Sequence, residues 1–155
     1  MRFLEIIQHS FNSLQIYSRQ ELMQVFQTLD LSPENVLPYI TAPQHLEYGR
    51  NIIYRKENLE VMVLYFPCFA KTPIHNHGAS TGCIYIVQGC LQNILYTLEA
   101  SEASPTYLQT QQFTQGNVLT VDKDTIHMMR NPTFLPAITF HVYSPPLKNV
   151  KIHSS

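Results

Sequence analysis

Charge is scarce in this sequence of 155 residues: Asp, Glu, Lys and Arg together make up 14%, against 45% hydrophobic residues. A disordered chain shows the reverse balance, so a buried core is expected. Neither sign dominates. Ten basic and eleven acidic residues give a formal charge of −1, which leaves no electrostatic footprint for nucleic acid or an anionic membrane surface. No apolar run approaches the ~20 residues of a membrane-spanning helix. The opening MRFLEIIQHS is interrupted by an acid and does not read as a signal peptide. Cysteine is sparse too: Cys68, Cys83 and Cys90 form no Cys-x-x-Cys pair. That argues against a disulfide framework and for a reducing cytoplasm. What the chain does have is seven histidines, two of them, His75 and His77, separated by a single residue.

The first 45 residues read as helical. Ser18 followed three residues later by Glu21 has the form of a capping box, and Leu22, Val25, Phe26 and Leu29 give one apolar face. Ser32-Pro33 reads as an N-cap with proline at the first helical position; Val36, Leu37 and Ile40 would be buried, and Pro38 keeps that helix short. From Asn51 onward the texture is β. β-prone runs at 52–54, 61–66, 83–88, 91–98, 106–112, 117–121, 125–130 and 137–143 are punctuated by Gly89, Gly116 and Asn131-Pro132. Many short strands with regular turns predict an all-β sandwich or barrel under a short helical N-terminal layer.

His75 and His77 would point to one face if they lie on a strand. Two imidazoles there are ligands for a borderline ion such as Fe(II), Zn(II), Cu(II) or Ni(II); alone, two unrelated polar residues on a loop edge are the better reading. The context shifts that balance. Gly82 and Gly89 follow the pair, and Gly116, His127 and Asn131 follow at intervals of eleven and four residues. This resembles the two motifs of the cupin family, with Gly82 where a glutamate is usual, and Asp122 and Asp124 replacing the expected Pro and Gly. His127 is then a third ligand. Three neutral imidazoles with no carboxylate leave the full charge on a divalent ion, so the centre should favour an anionic substrate ligand, a thiolate above all.

Residues 137–143 alternate: Ile138, Phe140 and Val142 face one way, Thr139, His141 and Tyr143 the other. A hydroxyl, an imidazole and a phenol in one row can hydrogen-bond in sequence; the plainer alternative is a solvent-facing polar side.

The run His141-Val142-Tyr143-Ser144-Pro145-Pro146 resembles the signature strand of the cysteine dioxygenases, thiol dioxygenases within the cupins. Tyr48-Gly49-Arg50-Asn51, His75-Asn76-His77 and His127 with Asn131 resemble three further stretches of that family, and together they span residues 48–146, about two-thirds of the chain. The resemblance implies a mainly β, jelly-roll-like cupin barrel as a single domain over 1–155, with a helical segment at 1–45, the barrel at 46–146 and a tail at 147–155. It also implies Fe(II) on His75, His77 and His127. Arg50 would pair with the substrate carboxylate as a buried charge pair, beside Tyr48, and Thr139 and His141 would hold Tyr143 toward the substrate. Dioxygen would be added to the sulfur of L-cysteine, giving cysteine sulfinate. A cytoplasmic monomer is expected, with no nucleic-acid or membrane partner.

Animal members carry a cysteine that crosslinks to the active-site tyrosine. Gly82 stands at that position, as in bacterial-type members. Cys83 is one residue off and should face away, so no Cys–Tyr thioether is expected. Two alternatives stay open: a 3-mercaptopropionate-type thiol dioxygenase, whose members tend to have glutamine where Arg50 stands, and a non-catalytic metal- or ligand-binding cupin.

Overall fold

The structure, a computed structural model, describes residues 2–12 and 18–153; positions 1, 13–17 and 154–155, parts of the expected helical segment and tail, lie outside the described residues. Helix α1 (Phe3–Asn12), α2 (Arg19–Thr28) and α3 (Pro33–Val36) come first, with a 3₁₀ turn at Leu37–Tyr39. The capping box of α2 is formed: Ser18 Oγ accepts from the Glu21 N–H, and Glu21 Oε1 accepts from the Ser18 N–H. Leu22, Phe26 and Leu29 are buried. Leu37 is not, contrary to expectation: Pro38 forces the tighter 3₁₀ turn, and Leu37 falls on its outer side. None of these helices is long and apolar enough to cross a membrane.

Among the described residues ten strands follow: β1 (Gly49–Lys56), β2 (Leu59–Phe66), β3 (Ile74–His75), β4 (Thr81–Gln88), β5 (Cys90–Thr97), β6 (Thr106–Thr114), β7 (Val118–Val121), β8 (Ile126–Arg130), β9 (Ala137–Ser144) and β10 (Ile152–His153). They form two five-stranded antiparallel sheets, ordered β1-β2-β9-β4-β7 and β10-β3-β8-β5-β6. The expected strands are present; β3 and β10, of two residues each, are too short to show any periodicity. The Ser144–Pro145 peptide is cis.

The first sheet is covered on both sides, which explains why β2 is apolar almost throughout. One face carries Val61, Val63, Cys83, Ile138, Phe140 and Val142 against the helices. The other turns Met62, Leu64, Phe66, Ile84, Ile86 and Tyr143 into the barrel. Phe140 is the junction of the first layer: its ring meets Phe26 at 5.7 Å and Phe3 at 6.4 Å, both edge to face. Asn131 ties the loops at the barrel end, its Nδ2 directed at the carbonyls of Phe66, Pro67 and Leu135 and its Oδ1 accepting from Thr133.

Removing the Phe140 ring should strip the helices of their support. Phe140→Ala is expected to lower stability by about 3–5 kcal/mol in urea unfolding; a loss below about 1 kcal/mol would mean that the helical layer rests elsewhere.

Candidate metal centre

His75 ends the short strand β3 and lies directly opposite His127 of β8 in the antiparallel register. His77 lies beyond the end of β3. The expectation that a shared strand face aligns the first pair is therefore corrected: a turn, completed by Gly78 at φ +58°, carries His77 back toward the other two. The three rings converge all the same. Their centroids are 4.6–5.0 Å apart, and the nitrogens they offer lie within 4.8 Å of one another.

The outer nitrogens fix which atoms face inward. His75 Nδ1 is 2.8 Å from the Pro73 carbonyl, which only accepts, so Nδ1 carries the proton and Nε2 is bare. His127 Nδ1 stands 2.6 Å from Asn93 Oδ1, and Asn93 Nδ2 donates to Gln111 Oε1 at 3.1 Å, which orients the amide. His77 makes no hydrogen bond of good geometry, although the Thr125 carbonyl raises its proton affinity. Burial, and then the neighbouring rings, hold His77 down to about 3 and His127 well below the ordinary histidine value. The imidazoles are thus neutral, the form that binds metal. Among the described residues, both nitrogens of His77 and Nε2 of His127 are buried without a partner, a state that needs an explanation. A divalent transition ion supplies one, and the donor set fits it.

Beside this cluster runs the polar row of β9. Thr139 Oγ1 is 2.6 Å from His141 Nε2, and His141 Nδ1 is 3.0 Å from Tyr143 Oη. All three residues are buried, so the row is not a solvent face. The tautomer of His141 sets the direction of the row. With the proton on Nδ1, the Thr139 hydroxyl donates to Nε2, Nδ1–H donates to Tyr143 Oη, and the phenol proton is left for the pocket. Burial first, then the His77 ring, lowers His141 to about 3, and burial raises Tyr143. Both are neutral near pH 7.

The Tyr143 ring lies over His77, centroids 5.7 Å apart and planes 21° from parallel. Gly82 pairs with Tyr143 in register. A Cβ there would sit 2.6 Å from the Tyr143 ring, so this glycine makes room for the phenol. Cys83 faces the helices instead, its thiol 3.7 Å from the Arg19 carbonyl and pushed up to about 12 by burial.

Tyr48 and Arg50 line the same pocket of about 330 Å³ as His75, Met62, Met129 and Tyr143. Tyr48 is stacked on Phe66 with centroids 5.3 Å apart. Arg50 is exposed at the mouth, which corrects the expectation of a buried cation; its charge reaches inward to lower the proton affinity of His141. A wider cleft of about 720 Å³ between Arg55, Ser80 and Pro146 contains none of these groups. Sequence reasoning missed Asn93. The signal was there: it shares a β5 face with Leu91, a buried amide in an apolar row.

Asn93→Leu should leave the fold intact and weaken metal binding by about 10–100-fold in competition titrations, because the third ligand loses its orienting acceptor; unchanged affinity would remove Asn93 from that role. The histidines also set a pH dependence. Below about 6.5 the unfolded chain takes up protons that folded His77 refuses until about 3. Metal-free protein should lose stability as pH falls through that window, with no contribution from these groups above about pH 7. Melting temperatures that do not fall between about pH 7 and about pH 4 would contradict this.

Comparison with known proteins agrees with this geometry. An uncharacterised protein with a double-stranded β-helix domain from Klebsiella pneumoniae superimposes with a TM-score of 0.60 at 15% identity, over 77% of this chain and 95% of its own. A cupin domain from Schizosaccharomyces pombe gives 0.58 at 14%, over 70% and 71%. KdgF from Halomonas sp. gives 0.54 at 16%, over 66% and 83%. At these identities the likeness is one of fold, the cupin fold. The family model for cysteine dioxygenase type I matches residues 5–155. The chain belongs to the cysteine dioxygenase type I family, oxygenase-type enzymes built on a cupin barrel.

Proposed function

We propose that this protein is an Fe(II)-dependent thiol dioxygenase acting on L-cysteine. The observation that carries the reading is the shared pocket: His75 of the three-histidine cluster, the Tyr143 phenol, Tyr48 and the Arg50 guanidinium line one cavity of about 330 Å³. That volume suits a small substrate. His75, His77 and His127 would hold the iron, whose bound form brings a thiolate and dioxygen together. The overall change is R–SH + O₂ → R–SO₂H: both oxygens end on sulfur, which gives up the four electrons that dioxygen accepts, so no external reductant is needed.

The protein's own groups orient this chemistry. Arg50 offers a planar fork to the substrate carboxylate. Tyr48, stacked on Phe66, shapes that end of the pocket. Tyr143 keeps its proton, because burial raises its pKa, and directs it to the oxygen and sulfur that carry negative charge. His141 and Thr139 hold the phenol in place. The cysteines are unpaired thiols, which supports a reducing, cytoplasmic setting. All the groups invoked come from one chain, so a monomer suffices. Cys83 faces away from Tyr143, which supports a site without a Cys–Tyr thioether.

One observation favours a second reading. Among the described residues no acidic one lines the pocket, so a substrate ammonium would find no carboxylate partner there. A thiol acid without an amine, such as 3-mercaptopropionate, needs none.

Anaerobic loading with Fe(II), followed by oxygen uptake and sulfinate analysis with both thiols, separates these readings. Faster turnover of cysteine supports the first; preference for the amine-free acid selects the second. No uptake with iron bound would leave a non-catalytic cupin. Tyr143→Phe should keep its iron and lower kcat on the order of 10–100-fold. Arg50→Ala should raise KM about 10–100-fold, as expected for a charge-assisted contact of roughly 1.5–3 kcal/mol. Unchanged KM for cysteine would remove the basis of the substrate assignment.

A further inference from the structure

The segment after Pro146 contributes Leu147, Lys148, Asn149, Val150 and Ile152 to the wall of the metal-site pocket. It reaches the mouth over an independent set of attachments. The Leu147 N–H donates to Glu60 Oε1 at 3.3 Å, and Glu60 is itself buried and paired with Arg55 at 3.2 Å. The Lys148 carbonyl passes so close over Gly78 that a Cβ there would lie 2.3 Å from it, and φ at Gly78 is +58°. Ile152 pairs with His75 and His153 with Ile74, joining β10 to the strand of the first ligand.

Asn76, between the two clustered histidines, makes the central attachment. Its N–H donates to the Lys151 carbonyl at 3.1 Å. Its Oδ1 accepts from the Lys151 N–H at 3.0 Å and also from the Gly78 N–H at 3.2 Å. One amide oxygen therefore holds both the covering segment and the turn that delivers His77. Leu147 is half-buried and packs on the interior cluster that includes Tyr143. With Val150 and Ile152 it makes this part of the wall apolar.

We propose that residues 147–153 are the size-selecting wall of the substrate pocket and that Asn76 is the positioning residue that clamps them. The inference rests on the thiol dioxygenase reading for its choice of substrates, though not for the clamp itself. A wall fixed at this many points limits the pocket to short thiol acids. A loosened wall admits longer ones, and one methylene in an apolar pocket is worth about tenfold or more in discrimination.

The test uses iron-loaded, full-length protein with Asn76→Ala, Asn76→Asp and Leu147→Ala. Hydrogen exchange of 147–153 is measured without substrate, and kcat and KM are measured for L-cysteine and L-homocysteine. Asn76→Ala should speed exchange across 147–153 and shift the kcat/KM ratio about tenfold toward homocysteine. Asn76→Asp retains the acceptor oxygen and should restore both. Leu147→Ala keeps its backbone bond to Glu60, so it should change the ratio while exchange stays near wild type. Unchanged exchange in Asn76→Ala overturns the clamp, and faster exchange with an unchanged ratio overturns the wall. If the wild type oxidises neither thiol, the substrate reading fails by itself. The clamp is then decided by exchange and by the rate at which the chelator ferrozine strips the iron: faster stripping from Asn76→Ala supports a covering wall, and equal rates overturn it.

Discussion

Three imidazole nitrogens face one another with no protein group between them, and much of the surrounding structure serves to keep them that way. Left to themselves in water these rings would exchange protons near neutral pH. In the barrel they cannot, because burial and mutual repulsion disfavour the charged form. The two outer contacts, with Pro73 and Asn93, then decide which nitrogen is bare. Neutrality is imposed by the fold, and direction is imposed by hydrogen bonds. Such a cluster is a destabilising element until something occupies it, and the layers around it supply the apolar burial that offsets this.

Strand β9 connects those layers to the site. Its odd and even residues face two different interiors: Phe140 and Val142 support the helices, while Thr139, His141 and Tyr143 form the polar row inside the barrel. A slip of one residue would exchange the two sets and fail on both sides at once. The helical layer therefore does more than fill volume. By burying the outer face of β9 it helps to fix the register on which the phenol depends. Gly82 completes the arrangement by leaving the space in which the phenol ring lies.

Much of this was legible in the sequence where a period or a fixed spacing carried it. The alternation of residues 137–143 was enough to place Thr139, His141 and Tyr143 on one side, and the capping residues at Ser18 and Glu21 marked the start of α2. Other features left no such trace. The approach of His77 depends on a turn and not on a strand, because β3 ends at His75. The exposure of Arg50 depends on where the edge strand β1 lies relative to the pocket, which no local pattern records. β10 is two residues long, and its partner lies far away in the chain. Asn76 was visible only as the residue between two ligands. Its bonds to Lys151 span 75 positions and appear only when the chain is folded.

That last contact also has a temporal side. A ribosome makes the chain from its N-terminus, so His75, His77, His127 and Tyr143 all emerge before residues 147–153. A nascent barrel that closes its sheets early has its nitrogens gathered while the mouth is still uncovered. Docking of residues 147–153 on Asn76 and Gly78 comes afterwards. The order of synthesis thus puts the ligands ahead of residues 147–153, the segment that covers them.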